Sequence, residues 1–499
     1  MRERLDGIVA KLAAVRARGL SCFGSDAHRF ALQPPATEAE VAAFEAARRV
    51  RLPEDYRAFL LHVGHGGAGP YYGLMTLAQW DDARYEAIDD LDAACPLHPG
   101  TLPPGEEWLE ALLPGEEEAM DRALQGTLSL GTQGCSFYTQ LVVTGPARGR
   151  VVYVDLDGGR PYFPESAGFL DWYERWLDEL LAGCKIHGFG IGMPGLEPEL
   201  AAALRRGERL VDALAAMRRL PRIGSDTLEL VIARLEHPDA RVRQQALQVL
   251  GDLDDDAGAR ARPFLRDPEP GPRRAALEGV CKGDAARWAA DARALLDDAD
   301  GSIASAALRA LDDARVMALA DLAPRLLDPR AGVAVDAGWR FAVMAGRGVP
   351  PAEAPAFAAA ATAMLDHAEP RVAMYGLQVL AHVDAPELPE LVARLRAFAL
   401  GEEPCHRMSA CRALVRQERA AGLDALAELT RHADPFVRQD AARLLGELGD
   451  ARARPALERL LEDETKPFER TAHGTRSNVY RVCDTARMAI EAIVRRAEG

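Results

Sequence analysis

The stretch RLPEDYRAFLLHVGHGGAGPYYGL, Arg51–Leu74, decides how the first part of the chain is read. Gly64, Gly66 and Gly69 spell G-x-G-x-x-G, a pattern that cradles a pyrophosphate when a buried strand precedes it and a helix opens behind it. The surrounding sequence meets neither condition. Tyr56, Phe59, Leu60 and Val63 fall on one face at helical spacing, so these glycines follow a helix. Pro70, Tyr71, Tyr72 and Gly73 come next and cannot open a helix cleanly. The expected structure is a helix begun at Leu52-Pro53, with Glu54 and Asp55 against its positive end. It is capped at Gly64 and leaves through an irregular glycine turn into extended chain. A second match, at Gly190, Gly192 and Gly195, also follows a helical segment and is interrupted by Pro194, so a linker is expected over 186–196.

Outward from this stretch, Val41 to Val63 keeps helical spacing, broken at Leu52-Pro53, and MRERLDGIVAKL reads as an amphipathic helix, not a signal peptide. Downstream, FYTQLVVTG and RVVYVDLD are β-branched runs joined by Gly145-Pro146-Ala147-Arg148-Gly149, which predicts a hairpin. FLDWYERWLDELLAG, Phe169–Gly183, predicts a closing helix with a glycine stop. Helices, then strands, then a helix predict an α+β domain over residues 1–185, an antiparallel sheet with flanking helices.

From about Glu197 the strand signal vanishes and a repeat begins. One helix of each unit starts near Val242, Pro272, Ile303, Val333, Val372, His406, Val437 and Val482. Each carries a small residue four positions later: Ala246, Ala276, Ala307, Ala337, Gly376, Ala410, Ala441 and Ala486. The intervals are 30, 31, 30, 39, 34, 31 and 45 residues. Small residues at a fixed place let neighbouring helices approach, so 197–499 is expected to be an all-α solenoid of two-helix repeats. Turns such as His237-Pro238-Asp239 and Asp434-Pro435 separate the helices, and Asp239–Arg243 and Asp434–Arg438 are expected to pair across repeats.

The net charge is -16 over 499 residues, and residues 1–190 carry -11 of it. Nucleic acid is not the expected partner, because phosphates need a cationic surface. No run of 18 apolar residues occurs, so no membrane span is expected. The 8 cysteines are scattered without a C-x-x-C pair, as in a reduced cytoplasmic protein. Only four lysines stand among the 60 basic residues, and with the alanine richness this reads as the codon usage of a GC-rich bacterial genome. No catalytic, cofactor or metal motif is found, so neither enzyme chemistry nor a cofactor is expected. The charge concentrates in residues 81–121, where 13 acidic side chains face a single base, Arg84. Such a segment is either a solvated excursion or a docking surface for a basic partner.

The segment 51–74 resembles the signature of the SUKH superfamily, which groups fungal cell-wall synthesis regulators with bacterial toxin-immunity proteins. The likeness rests on Leu52, Pro53, Tyr56 and Leu60, then Gly64, Gly66, Gly67, Gly69, Tyr71, Tyr72 and Gly73. It continues through LSLGTQGCSFYTQLVVTGPARGRVVYVDLD and FLDWYERWLDELL, with 81–121 as an insertion. HPDARVRQQALQVLGDL and ADPFVRQDAARLLGELGDARARPALERLLED are similar to HEAT repeats of the phycobilisome-lyase type. The resemblances imply a non-catalytic binding domain fused to a partner-binding scaffold. Many bacterial SUKH members are thought to neutralise secreted toxins, often nucleases, by binding them. The expectation is therefore an immunity protein in the cytoplasm that binds a basic toxin domain; the alternative is a housekeeping scaffold that binds a protein or peptide through the solenoid. Candidate partner-binding residues are Tyr71, Tyr72, Trp80, Asp89, Asp90, Trp108, Glu116, Glu117 and Glu118.

Overall fold

A computed structural model describes residues 1–82, 91–100, 102–116, 118–281, 288–385, 389–471, 474–477 and 479–498. The chain divides into two compact units, Met1–Ala261 and Arg262–Gly499.

The first unit opens with α1 (Arg2–Ala17), α2 (Glu38–Ala47) and α3 (Glu54–His62). Thr37 and Glu40 form a capping box at the start of α2, each side chain accepting the other's backbone N–H. Three strands follow, β1 (Thr127–Gly134), β2 (Phe137–Val142) and β3 (Val151–Asp155), then α4 (Phe169–Leu181). The strands form an antiparallel meander in the order β1-β2-β3, with Leu141 opposite Val151 across the expected hairpin. α4 is the centre of the core. Its Phe169 ring lies 4.8 Å from Tyr56 and 5.1 Å from Phe59, and Tyr173 lies 4.8 Å from Phe59. Arg4 and Lys11 of α1 reach across to Asp171, Glu174 and Asp178 of α4.

The run Val151-Val152-Tyr153-Val154 is apolar without alternation because both faces of the sheet are covered. Val151 and Tyr153 join the main core under α4. Val152 and Val154 join a second cluster on the other face, built by Cys95, Leu97, Leu102, Trp108, Ala123 and Leu124. The acidic insertion is thus no solvated excursion over its described part: its apolar residues are the second layer of the sheet.

The glycine turn is held by backbone. Gly67 bridges Leu32 on one side and Leu74 on the other, donating to Leu74 O at 2.8 Å and accepting from Leu74 N–H at 2.7 Å. Its φ is +95°, and a methyl here would collide with the carbonyl oxygen of Ala31.

Residues 186–196, expected as a linker, are packed. Phe189 is buried beside Trp172, and its carbonyl accepts the hydroxyls of Tyr71 and Tyr153. Glu179 of α4 is buried and pairs with Arg175 at 2.8 Å and Arg219 at 3.3 Å. Arg219 also donates to Met193 O and Gly195 O, and Lys185 N–H donates to Arg219 O. This network joins the α+β core to helices Glu197–Arg206 and Leu210–Met217 within the compact unit Met1–Ala261. Its last long helix is α5 (Ala240–Leu253).

In the second unit the helices that carry the small repeat residues are α6 (Pro270–Cys281), α7 (Gly301–Asp313), α8 (Ala331–Gly346), α9 (Pro370–Leu380), α10 (Pro404–Gln417), α11 (Pro435–Leu448) and α12 (Val482–Glu498). Every small residue predicted from the repeat is buried, from Ala246 of α5 to Ala486 of α12. A methyl on Gly376 would stand 2.7 Å from Ala361 O, so the close approach is real. Asp239 and Asp434 do not pair with Arg243 and Arg438. They cap helix starts, accepting the N–H groups of Arg241 and Phe436. The arginines instead grip carbonyls of the preceding turn: Arg243 takes His237 O and Pro238 O, and Arg438 takes His432 O and Ala433 O. Arg273 and Arg438 also pair with Asp298 and Asp463, 25 residues on. Strands are not absent after Glu197. β4 (Phe468–Thr471) and β5 (Gly474–Ser477) form an antiparallel hairpin, which lengthens the last interval to 45 residues.

Candidate functional site

The exit of the glycine turn puts two tyrosines to different use. Tyr71 has a left-handed backbone, φ +57°, which turns its ring inward. Its hydroxyl donates to Phe189 O at 3.0 Å, and burial pushes its pKa up to about 12. Tyr153, also raised by burial, donates to the same carbonyl and accepts the indole N–H of Trp172 at 2.8 Å. Tyr71 is therefore a neutral structural donor.

Tyr72 points the other way and is 42% exposed. Its ring meets Phe23, 50% exposed, edge-on at 5.4 Å, and Phe23 lies 5.8 Å from the ring of His187. Three rings from segments far apart in sequence thus form one exposed aromatic cluster. The β1–β2 turn borders it, since a methyl on Gly134 would stand 3.3 Å from the Tyr72 ring. Aromatic groups with exposed faces are the residue types that anchor protein interfaces. Nothing in sequence spacing brings Phe23 and His187 to Tyr72; the contact is tertiary.

Of the other candidates, Trp108 is corrected. It is fully buried on the back of the sheet and donates its indole N–H to Gly158 O at 2.9 Å, so it cannot anchor a partner. Glu116 and Glu118 are exposed, as are Glu106, Glu107 and Glu110, and among the described residues none of the five makes an ion pair. Trp80 lies on the helix Leu77–Asp82, its side chain outside the description. Asp89, Asp90 and Glu117 lie outside the described residues.

A pocket of 460 Å³ beside α4 is lined by Glu165, Asp171, Asp178, Glu179 and Glu199, with Arg175. Each carboxylate is already engaged. Asp171 pairs with Arg4, Asp178 with Lys11, Glu165 with Arg209 and Glu179 with Arg175, while Glu199 accepts the Leu196 N–H. This is ion-pair scaffolding rather than an acid–base pair poised for proton transfer. Among the described residues no group of three or more His, Cys, Asp or Glu could hold a metal, and no helix is long and apolar enough to cross a membrane.

Residues 35–175 match the SMI1 / KNR4 family (SUKH-1), and residues 388–473 match HEAT repeats. The chain carries a SUKH domain and HEAT repeats. Tyr72 of the aromatic cluster lies within the matched SUKH range, and Phe23 and His187 join it from before and beyond that range. SUKH and HEAT families are generally non-catalytic, and the two together support a protein-interaction role. Among solved structures, an engineered protein is similar at 16% identity and a TM-score of 0.37, over 60% of this chain and 84% of its own. The X-ray structure of the Escherichia coli protein YibA is similar at 16% identity and a TM-score of 0.37, over 60% of this chain and 93% of its own. No curated protein matches the chain.

Proposed function

We propose that this chain is a non-enzymatic immunity protein whose SUKH domain binds and neutralises a toxin domain of basic character in the cytoplasm. The observation that carries the reading is the exposed cluster that Phe23 and His187 build around Tyr72 of that domain. Exposed, unpaired glutamates on the same unit support it, since a field of one sign speeds encounter with a basic partner and rejects acidic ones. The test is capture of a basic toxin domain by the full chain. The Phe23→Ala, Tyr72→Ala double variant should weaken capture at least about tenfold, the usual cost of truncating aromatic anchors. Charge reversal at Glu116 and Glu118 should slow association and flatten its salt dependence. Unchanged affinity in both variants would sink this reading.

A second reading, a scaffold that binds protein or peptide through the HEAT array, is favoured by a separate feature. A groove of 610 Å³ between α11 and α12 exposes Val479, Tyr480 and Met488 to solvent. Fragments divided at 261/262 discriminate the two. Partner binding retained by 262–499 and lost from 1–261 would favour the scaffold.

A further inference from the structure

Partly buried arginines of the second unit differ in how fully their donors are used. Arg273 has Asp298 at 2.8 Å on both Nε and Nη2, and its Nη1 takes Asp267 O and Pro268 O. Arg438 has Asp463 at 2.8 Å and two carbonyls. Arg340 of α8 is buried more deeply, 6% exposed, and is left incomplete. Its Nη1 donates to Asp336 O at 3.0 Å. The carboxylates of Asp312 and Asp336 stand 3.7 Å away, beyond hydrogen-bond distance, and Nε has no acceptor. A guanidinium does not give up its proton to relieve this, so a buried donor is left waiting.

Arg340 lines a pocket of 440 Å³ at the C-terminal ends of α7 and α8. The other lining residues are Asp312, Arg315, Met317, Met344 and Arg347. Arg315 and Arg347 are exposed and make no ion pair among the described residues. Arg315 holds a left-handed backbone at the exit of α7, φ +57°, a conformation that costs a non-glycine residue about 1 kcal/mol. Arginines at helix C-termini interact favourably with the dipole, which accounts for Arg315 and Arg347 singly. It does not account for a buried guanidinium beside the same pocket whose Nε lacks a hydrogen bond.

We propose that this pocket binds an oxyanion of the phosphate class, held by the forked donors of Arg340 with Arg315 and Arg347 closing over it. Three guanidiniums face Asp312 on the pocket wall and Asp336 beside Arg340, which leaves an excess of positive charge for an anion to meet. A phosphate also offers three oxygens to donors that lie in a plane, the geometry to which arginine is suited. The two methionines supply an apolar wall that fits the carbon body of an ester better than bare water.

The test is calorimetric titration of the full chain with inorganic phosphate at constant ionic strength. A parallel arm uses a phosphoserine peptide and its unphosphorylated form. The comparison variant is Arg315→Ala, Arg347→Ala, two exposed positions whose replacement leaves the fold intact by circular dichroism. Saturable phosphate binding is expected, weakened about tenfold for each arginine removed, the worth of one charge-assisted hydrogen bond. Tighter binding of the phosphopeptide identifies the source as a modified side chain; equal or weaker binding identifies a free anion. Absence of saturable binding in the unmodified chain, or undiminished binding in the double variant, overturns the proposal.

Discussion

Gly67→Ala tests the reading of the glycine turn most directly. The substitution places a methyl at φ +95° and against the carbonyl of Ala31. The backbone conformation alone costs about 1 kcal/mol. Relief of the collision must move Gly67 away from Leu32 and Leu74, putting the two Gly67–Leu74 hydrogen bonds at risk. At about 1 kcal/mol each, the total is about 3 kcal/mol. Gly19→Ala is the control. Its φ is +61°, yet a methyl there meets nothing within 4 Å, so it should cost the conformational part alone, about 1 kcal/mol. Both lie in the first unit, where Trp108, Trp172 and Trp176 are buried, so urea unfolding followed by tryptophan fluorescence reads the difference. Equal midpoints for the two variants would refute the claim that close backbone packing, not turn conformation alone, demands glycine at 67.

Trp108→Ala should destabilise the first unit by about 3–5 kcal/mol, as a buried aromatic and not as a surface anchor; a stable variant with weakened partner binding would restore the docking role. Arg438→Ala should destabilise the second unit by about 2–3 kcal/mol in thermal unfolding, and Arg438→Lys should rescue little, because an ammonium cannot fork between Asp463 and two carbonyls. Burial holds the pKa of His28 below its ordinary value, with its Nδ1 accepting the Phe30 N–H and its ring against Trp176. Below about pH 6.5 the unfolded chain therefore takes a proton that the folded chain refuses. Stability from this group is complete above that pH and is lost as pH falls towards the folded value. Urea midpoints at pH 7.5 and 5.5, compared with His28→Gln, should show the larger drop in the unmodified chain.

Much of the architecture is local and so was legible. The helix after Leu52-Pro53, the β2–β3 hairpin around Gly145–Gly149 and the small residue of each repeat helix announce themselves by spacing. What escaped is tertiary. A charge count placed 81–121 in solvent, but Cys95, Leu97 and Trp108 lie between the acidic residues and had a sheet face to cover. The non-alternating VVYV was the available signal, since a strand apolar on both sides needs a second layer. Asp–Arg spacing of four suggested ion pairs, yet capping the next helix satisfies those aspartates locally. The site was half legible. Tyr72 was named from the turn, whereas Phe23 and His187 carried no signal of their own, because only folding brings them together.

The buried Glu179 network gives the family likeness and the folding cooperativity different extents. The stretch recognisable by ancestry ends at 175, whereas the buried charge that must be neutralised on folding is shared with Arg219, more than forty residues on. Cutting between them would leave Glu179 with Arg175 alone and take its carboxylate from the largely buried Arg219, the costly way to break a buried pair. Amide hydrogens of α4 and of Leu210–Met217 should accordingly exchange with solvent through one common opening event. The stretch matched to the SUKH family thus sits inside a longer unit of folding, and a partner that clamps the SUKH face would slow the unfastening of helices it never touches.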